Sequence, residues 1–425
     1  MRGSDSTRSN PNKSNNKSID CHESANADFR NDEMVDCHDF AFPKSCNGGF
    51  SPLYFCKDSP KNSPKLSFSP KLERFAEPQC FAFKAKCDDL RLNSSSGGAF
   101  SLIAEYVLSR GGVVFGASFD ENLNIIHRFI EKPEQLELLR RSKYVESFIG
   151  DSYKKAKEFL KAGRLVLFSG VQCQIHALHT FLRKPYHNLI TLEVICNSIP
   201  SSKIWDIYKE SLEQELGEKL IECNFRTKEF RWEDCPLAFK TATKRKVIAK
   251  NWDSPYIYNA WATHIITRKS CANCYSKGFV SGADFTLGDF WGIRAYHADF
   301  VDDKGVSCVL AHNQKAMDIL DSLHESAHLI RTTASIITLG NPAALRSNPV
   351  HSRRDFVLKR VIETYQYSKD AKKSMAILAK FAQNPMKITP LRHYYLVWKN
   401  DPLRKGISNA LKKVRKRIFN QKERQ

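Results

Sequence analysis

From about residue 78 the apolar positions alternate between two periods. Gly98 to Arg110, GAFSLIAEYVLSR, spaces its apolar residues as a helix does, and GGVVFGASFD after it reads as a short buried strand. DSYKKAKEFLKAG is an amphipathic helix with Gly163 as its C-terminal stop. RLVLFSG is a mostly apolar strand, VQCQIHALHTFLRK a helix, and NLITLEVIC another strand. PSSKIWDIYKESLEQEL begins a helix with Pro200 and two serines near its start. Repeated strand–helix alternation predicts an α/β fold, a mostly parallel sheet covered by helices on both faces.

Beyond Leu220 the pattern changes. LIECNFRTKEFRW, LAFKTATKRKVIAK and ADFTLGDFWGI read as strands with antiparallel turns, and VSCVLAHN and QKAMDILDSLHES add one more strand and helix. The expected organisation is a disordered Ser-, Asn- and Pro-rich segment over 1–75, an α/β domain over 76–220, a mixed α+β part over 221–346, and a basic helical tail over 347–425. No internal repeat is evident.

Composition narrows the class. A 42% hydrophobic share with 11% aromatics supports a real core. No apolar run nears the roughly 18–20 residues that span a bilayer. The opening MRGSDSTRSNPNKSNNKS has no apolar stretch for a secretory signal, so a cytoplasmic protein is expected. There the 13 cysteines stay reduced, which turns attention to metal ligation or redox chemistry. Cys223, Cys235 and Cys308 lie in strand-like stretches and read as small buried hydrophobes.

The net charge of +20 is uneven: Asp401 to Gln425 holds nine Lys/Arg against two Asp/Glu. Without interleaved aromatics or a recognised motif, this excess does not make a nucleic-acid binder. In the tail, Ile407, Leu411, Val414 and Ile418 share one helical face, and Lys412, Lys413, Arg415, Lys416 and Arg417 fall mostly elsewhere. Such a helix either docks its stripe on the body or rests peripherally on the inner membrane surface.

Four cysteines stand where loops meet regular structure. Cys173 follows the strand RLVLFSG, Cys196 ends NLITLEVIC, and Cys271 and Cys274 form a C-x-x-C pair. Strand ends of a parallel sheet gather on one edge, so Cys173 and Cys196 are expected close together. Four thiolates suit zinc or an iron–sulfur cluster on ligand type alone, and an isolated C-x-x-C can equally be a dithiol or an incidental pair. The hundred-residue spread from the two single cysteines to the pair is unlike a zinc ribbon. The loop Ser94, Ser95, Ser96, Gly97, Gly98 offers hydroxyls and backbone N–H groups at a helix start, either for a phosphate or as an ordinary cap. Gly288, Asp289 and Trp291 lie on a strand that either approaches a flat ligand or packs in the core. His176 and His179, one turn apart, read as a packed or exposed pair.

Taken in order, LRLNSSSGGAFSLIAEYVLSRGGVVFGASFD, RRSKYVESFIG, LVLFSGVQCQIHAL, VICNSIPSSKIWDIY, CNFRTK, RKSCANCYSKGFVSGADFTLGDFWGI and KGVSCVLAH resemble the beta subunits of coenzyme F420 hydrogenases and formate dehydrogenases. The resemblance spans about Pro78 to Leu329. It implies an oxidoreductase that carries FAD and a 4Fe–4S cluster. Cys173, Cys196, Cys271 and Cys274 would be the cluster ligands. Ser94 to Gly98, Gly116, Lys143, Tyr144, Gly288, Asp289 and Trp291 would house the flavin. Two motifs depart from the pattern: Val171-Gln172-Cys173-Gln174 stands for Thr-Pro-Cys-Gln, and Cys196-Asn197-Ser198 for Cys-His-Gly. Residues 1–90 show no two-cluster ferredoxin module, so either a separate electron donor such as a ferredoxin is implied or the chain has lost an electron-transfer role. Bacterial relatives of this type accompany surface polysaccharide synthesis, while the small-molecule substrate and any proton-transferring side chain stay unnamed. The competing reading is a non-catalytic, metal-stabilised binding subunit.

Overall fold

The computed structural model describes residues 73–250, 253–258 and 263–382. The expectations for the first 72 residues, with Cys21, Cys37, Cys46 and Cys56, and for the tail helix beyond residue 382 lie outside them.

The chain runs β1 (Gln79–Ala85), α1 (Asp88–Leu92), α2 (Ala99–Leu108), β2 (Val113–Phe119), β3 (Ile125–Ile130), α3 (Ser152–Lys161), β4 (Val166–Val171), α4 (Gln172–Leu182), β5 (Leu189–Val194) and α5 (Ser202–Leu216). It continues through β6 (Glu222–Asn224), β7 (Leu237–Lys240), β8 (Arg245–Ile248) and α6 (Pro255–Tyr258). After these come β9 (Phe285–Asp289), β10 (Ser307–Ala311), α7 (Gln314–Ser322), β11 (Ala327–Thr332), α8 (Ala334–Gly340), α9 (Arg354–Ser368) and α10 (Ala371–Ala382).

An eight-stranded sheet has the order β11-β1-β10-β9-β5-β4-β2-β3. β2, β4, β5 and β9 are mutually parallel, while β3, β10 and β11 each run against a neighbour. Because β10 separates β9 from β1 by two antiparallel steps, β1 points the same way as the parallel set. Five of the eight strands share one direction, and the expected mostly parallel α/β sheet is what forms. Strands from both sides of residue 220 build it.

Alternation sorts the side chains. Val113, Phe115, Val166 and Phe168 pack on Ala156, Leu160, Ile175 and Leu178 of α3 and α4. Their neighbours Val114, Leu167 and Ile190 turn to the opposite face, against Ile103 and Val107 of α2 and Ile319 and Leu320 of α7. Both faces are therefore apolar, as a helix-covered sheet requires. A small antiparallel sheet, β6-β7-β8, packs with α5, α6, α9 and α10 around a separate core containing Trp205, Tyr208, Phe239 and Tyr256. Cys223, Cys235 and Cys308 are buried, as expected of small hydrophobes.

Two sequence expectations need correction. Trp291, read as lying on a strand with Gly288 and Asp289, stands in the turn after β9, which ends at Asp289. LIECNFRTKEFRW is a strand only over Glu222–Asn224, and Trp232–Asp234 is a 3-10 turn. The chain leaves the small sheet because Arg226 is drawn into a buried ion pair with Asp289 at the end of β9.

Candidate functional site

The parallel strands end on one edge of the large sheet, and two groups of side chains form there. The first is the cysteine set. Cys173 is the second residue of α4, directly after β4, and Cys196 follows β5 by two residues. The C-x-x-C pair lies at a short 3-10 turn, Lys269–Asn273. This turn reaches Cys196 because the chain after β5 pairs with the chain before the turn. The Ser201 amide donates to Ile266 O at 2.8 Å, and the Arg268 amide to Ile199 O at 2.9 Å. On the far side the Cys274 amide donates to Ser347 Oγ at 3.0 Å, and Asn348 Nδ2 to Asn197 Oδ1 at 2.6 Å. Lys277 Nζ donates to the carbonyls of Cys196 and of Ala343, tying both borders together.

The thiols sense one another. Burial pushes Cys173 up to about 11, and charge on Cys274 and Cys271 adds to the rise. Burial pushes Cys196 up to about 12, opposed by the Lys277 cation and reinforced by Cys271, Cys173 and Cys274. Cys271 is raised by burial too, against the Ile199 amide and the Arg268 cation, with Cys274 raising it further. Mutual destabilisation of this kind operates only between groups a few ångströms to about a nanometre apart in a poorly solvated place. The amides of Cys173 and Gln174, at the positive end of α4, favour negative charge on the Cys173 sulfur. Among the described residues no group of three or more His, Cys, Asp or Glu is placed to hold a metal ion. Proximity of the four thiols thus stops short of a closed single-ion site. His176 lies edge-on to Tyr275, centroids 5.1 Å apart, while His179 packs on Gly282.

The second group centres on Arg226, whose side chain is 1% exposed. Nη1 donates to Asp289 Oδ2 at 2.5 Å and to the Tyr144 hydroxyl at 3.2 Å. Nη2 donates to Asp289 Oδ1 and to Ser95 O, both at 3.3 Å. Burial opposes the guanidinium charge, and the Asp289 carboxylate more than offsets it, leaving Arg226 well above its ordinary value. The cation also lies 5.6 Å from the Trp291 ring, which stacks on Trp232 with centroids 5.1 Å apart and planes 8° apart. The serine–glycine loop and the end of β9, expected to meet, are brought together through this arginine.

The loop's polar groups are engaged within the protein. Ser94 Oγ donates to Leu90 O, Ser96 Oγ to Val306 O, and the Gly97 amide to Ser307 Oγ; Ser95 Oγ accepts from the Ser142 amide. At Gly97 an added Cβ would stand 2.1 Å from Phe83 O, so glycine is required there by the approach of β1 and not by a ligand. Lys143 Nζ donates to the carbonyls of Leu139, Arg140 and Arg141, and burial lowers it to about 7. Gly288 is backed by Ile195 and Cys308, and Gly116 by Ser169 on β4. With the Ser94 and Ser96 hydroxyls donated inside the protein and Trp291 stacked on Trp232, these groups would have to change partners to contact a flavin between the loop and β9.

Residues 163–335 match the family model for the C terminus of the coenzyme F420 hydrogenase/dehydrogenase beta subunit. Over this stretch, less than half of its length, the chain is similar to the C-terminal part of those beta subunits. The matched family is one of hydrogenase and dehydrogenase subunits, a redox class. A solved structure, the F420-reducing NiFe hydrogenase complex from Methanosarcina barkeri derivatised with xenon, aligns with 70% of this chain and 96% of its own at 16% identity, with a TM-score of 0.43. Nothing matches among curated proteins. No helix among the described residues is long and apolar enough to cross a membrane.

Within the beta-subunit region the sequence reading missed Arg226, Lys228 and Trp232. Lys228 Nζ donates to the carbonyls of Arg91, Ser96 and Lys304, tying the loop to the turn before β10. The signal was there in CNFRTK: two cations in a stretch that otherwise reads as a strand need buried partners.

Proposed function

We propose that the chain is an iron–sulfur oxidoreductase subunit in which Cys173, Cys196, Cys271 and Cys274 hold one 4Fe–4S cluster. The observation supporting it is the electrostatic coupling of these four thiols, contributed by three separate segments at one sheet edge. Such a group, when bound, supplies one-electron transfer. The protein's own part is to neutralise the anionic site. The α4 amides face Cys173, Arg268 opposes charge loss at Cys271, and Lys277 does the same at Cys196. A separate donor such as a ferredoxin, a small-molecule substrate and a setting in surface polysaccharide synthesis rest on the family resemblance, and FAD rests on it as well.

A second reading, a non-catalytic, metal-stabilised binding subunit, is favoured by two observations: the engaged hydroxyls of Ser94 and Ser96, and the Trp232–Trp291 stack. The visible spectrum and metal content of full-length protein purified without oxygen decide between them. A broad iron–sulfur absorbance supports the cluster, and flavin bands would show that the loop opens. A colourless protein with one zinc per chain sinks the cluster. Cys271→Ser is expected to lower bound iron at least severalfold, and Cys223→Ser to leave it unchanged.

A further inference from the structure

Gln172 is the first residue of α4, directly before Cys173, and it is 1% exposed. Neither its Nε2 nor its Oε1 has a hydrogen-bond partner in the protein. Its near neighbour Gln174 is fully employed, accepting from the Val171 amide at 3.0 Å and donating to Ser147 Oγ at 2.9 Å. A buried primary amide with no partner is rare because burial removes its water without replacement. The missing partner must lie within reach of this side chain at the start of α4, where a cluster held by Cys173 would present sulfur acceptors.

We propose that Gln172 donates its side-chain amide to a sulfur of the group held by Cys173, Cys196, Cys271 and Cys274, and so favours that group's more negative, reduced form. The inference rests on the cluster reading above. Gln172 is a positioning residue in this view: it carries no electron, and it sets how easily one is accepted. A donor next to a sulfur stabilises negative charge, and hydrogen bonds to the sulfurs are among the factors that set cluster potentials.

The test uses full-length protein with its cluster reconstituted from iron and sulfide, titrated with dithionite and followed by electron paramagnetic resonance. Gln172→Leu keeps the bulk and removes the donor. The expected result is a reduction equilibrium at least tenfold less favourable, about 59 mV lower for one electron. Should the leucine variant fail to load iron, Gln172→Pro replaces it under the same criterion, since proline is at home in a first helical turn and brings no donor. A potential unchanged within threefold, at normal iron content, overturns the inference, leaves the cluster reading intact, and assigns the amide to a buried water. A wild-type chain that binds no iron and gives no reduced-state signal removes both.

Discussion

The Arg226–Asp289 pair offers the sharpest test of how the sheet edge is held. Arg226→Met removes a guanidinium whose side chain is 1% exposed and leaves Asp289, 13% exposed, without its cation. Lost with it are two bonds to the carboxylate, one to the Tyr144 hydroxyl and one to Ser95 O. Breaking a buried pair from one side costs about 3–5 kcal/mol, because the surviving charge stays desolvated. Replacing both members by apolar residues of similar volume is far cheaper. Arg226→Met with Asp289→Leu is therefore expected within about 1–2 kcal/mol of the native chain, so in a double-mutant cycle the double loss falls several kcal/mol short of the sum of the two singles, each about 3–5 kcal/mol. Urea unfolding followed by the fluorescence of Trp232 and Trp291 reads both quantities. Two results would refute the reasoning: a single variant within about 1 kcal/mol of the native chain, or a double variant that loses the sum of the two singles.

Three other outcomes follow from the same geometry. Gly97→Ala would place a Cβ 2.1 Å from Phe83 O and 2.6 Å from Ser307 N, both backbone atoms; a loss on the order of 3 kcal/mol is expected in thermal unfolding, and a neutral effect would mean the strands part readily. Lys228 is lowered to about 7 by burial and by the Arg226 cation; the unfolded chain then holds more protons between about pH 7 and 10.4, so the native chain should gain stability relative to Lys228→Met as pH rises from 7. That comparison with the variant cancels the thiols of Cys80 and Cys235, raised to about 12, which act with the opposite sign above about pH 8.5; a difference that stays flat across this range contradicts the lysine's desolvation. For the tail, a chain ending at Pro402 is expected to bind anionic vesicles more weakly than the full chain, and equal binding leaves the tail with no membrane role.

The central strands were legible because burial on both faces writes nearly continuous apolar runs, as in Val166–Phe168 and in Leu189–Leu192, broken only by Thr191. β1, β3 and β11 were not read from the pattern. Lys84, Arg128 and Arg331 interrupt them, and β3 and β11 are the sheet's edges, where one side goes unpaired. The cysteine set was legible from strand ends, since Cys173 and Cys196 follow adjacent parallel strands. What holds the pair Cys271 and Cys274 beside them was not. That depends on Ile199, Lys277 and Ser347, residues of ordinary type joined by backbone and side-chain hydrogen bonds across long separations. Arg226 was hidden for a related reason: a charged residue reads as exposed until its partner Asp289, 63 positions on, is known.

The placement of β1 has a consequence for how the chain is made. Its two neighbours, β10 and β11, end 226 and 247 residues after Ala85. At about 5–20 residues per second, β1 leaves the ribosome roughly 12–50 s before β11 is complete. Until β10 has emerged, Phe81, Ala82 and Phe83 stand on a strand with both edges unpaired, and one edge stays open until β11 follows, the kind of segment other chains capture. Newly made protein should therefore depend on holdase chaperones until Thr332 has emerged, and chains truncated before β10 should aggregate through their first strand.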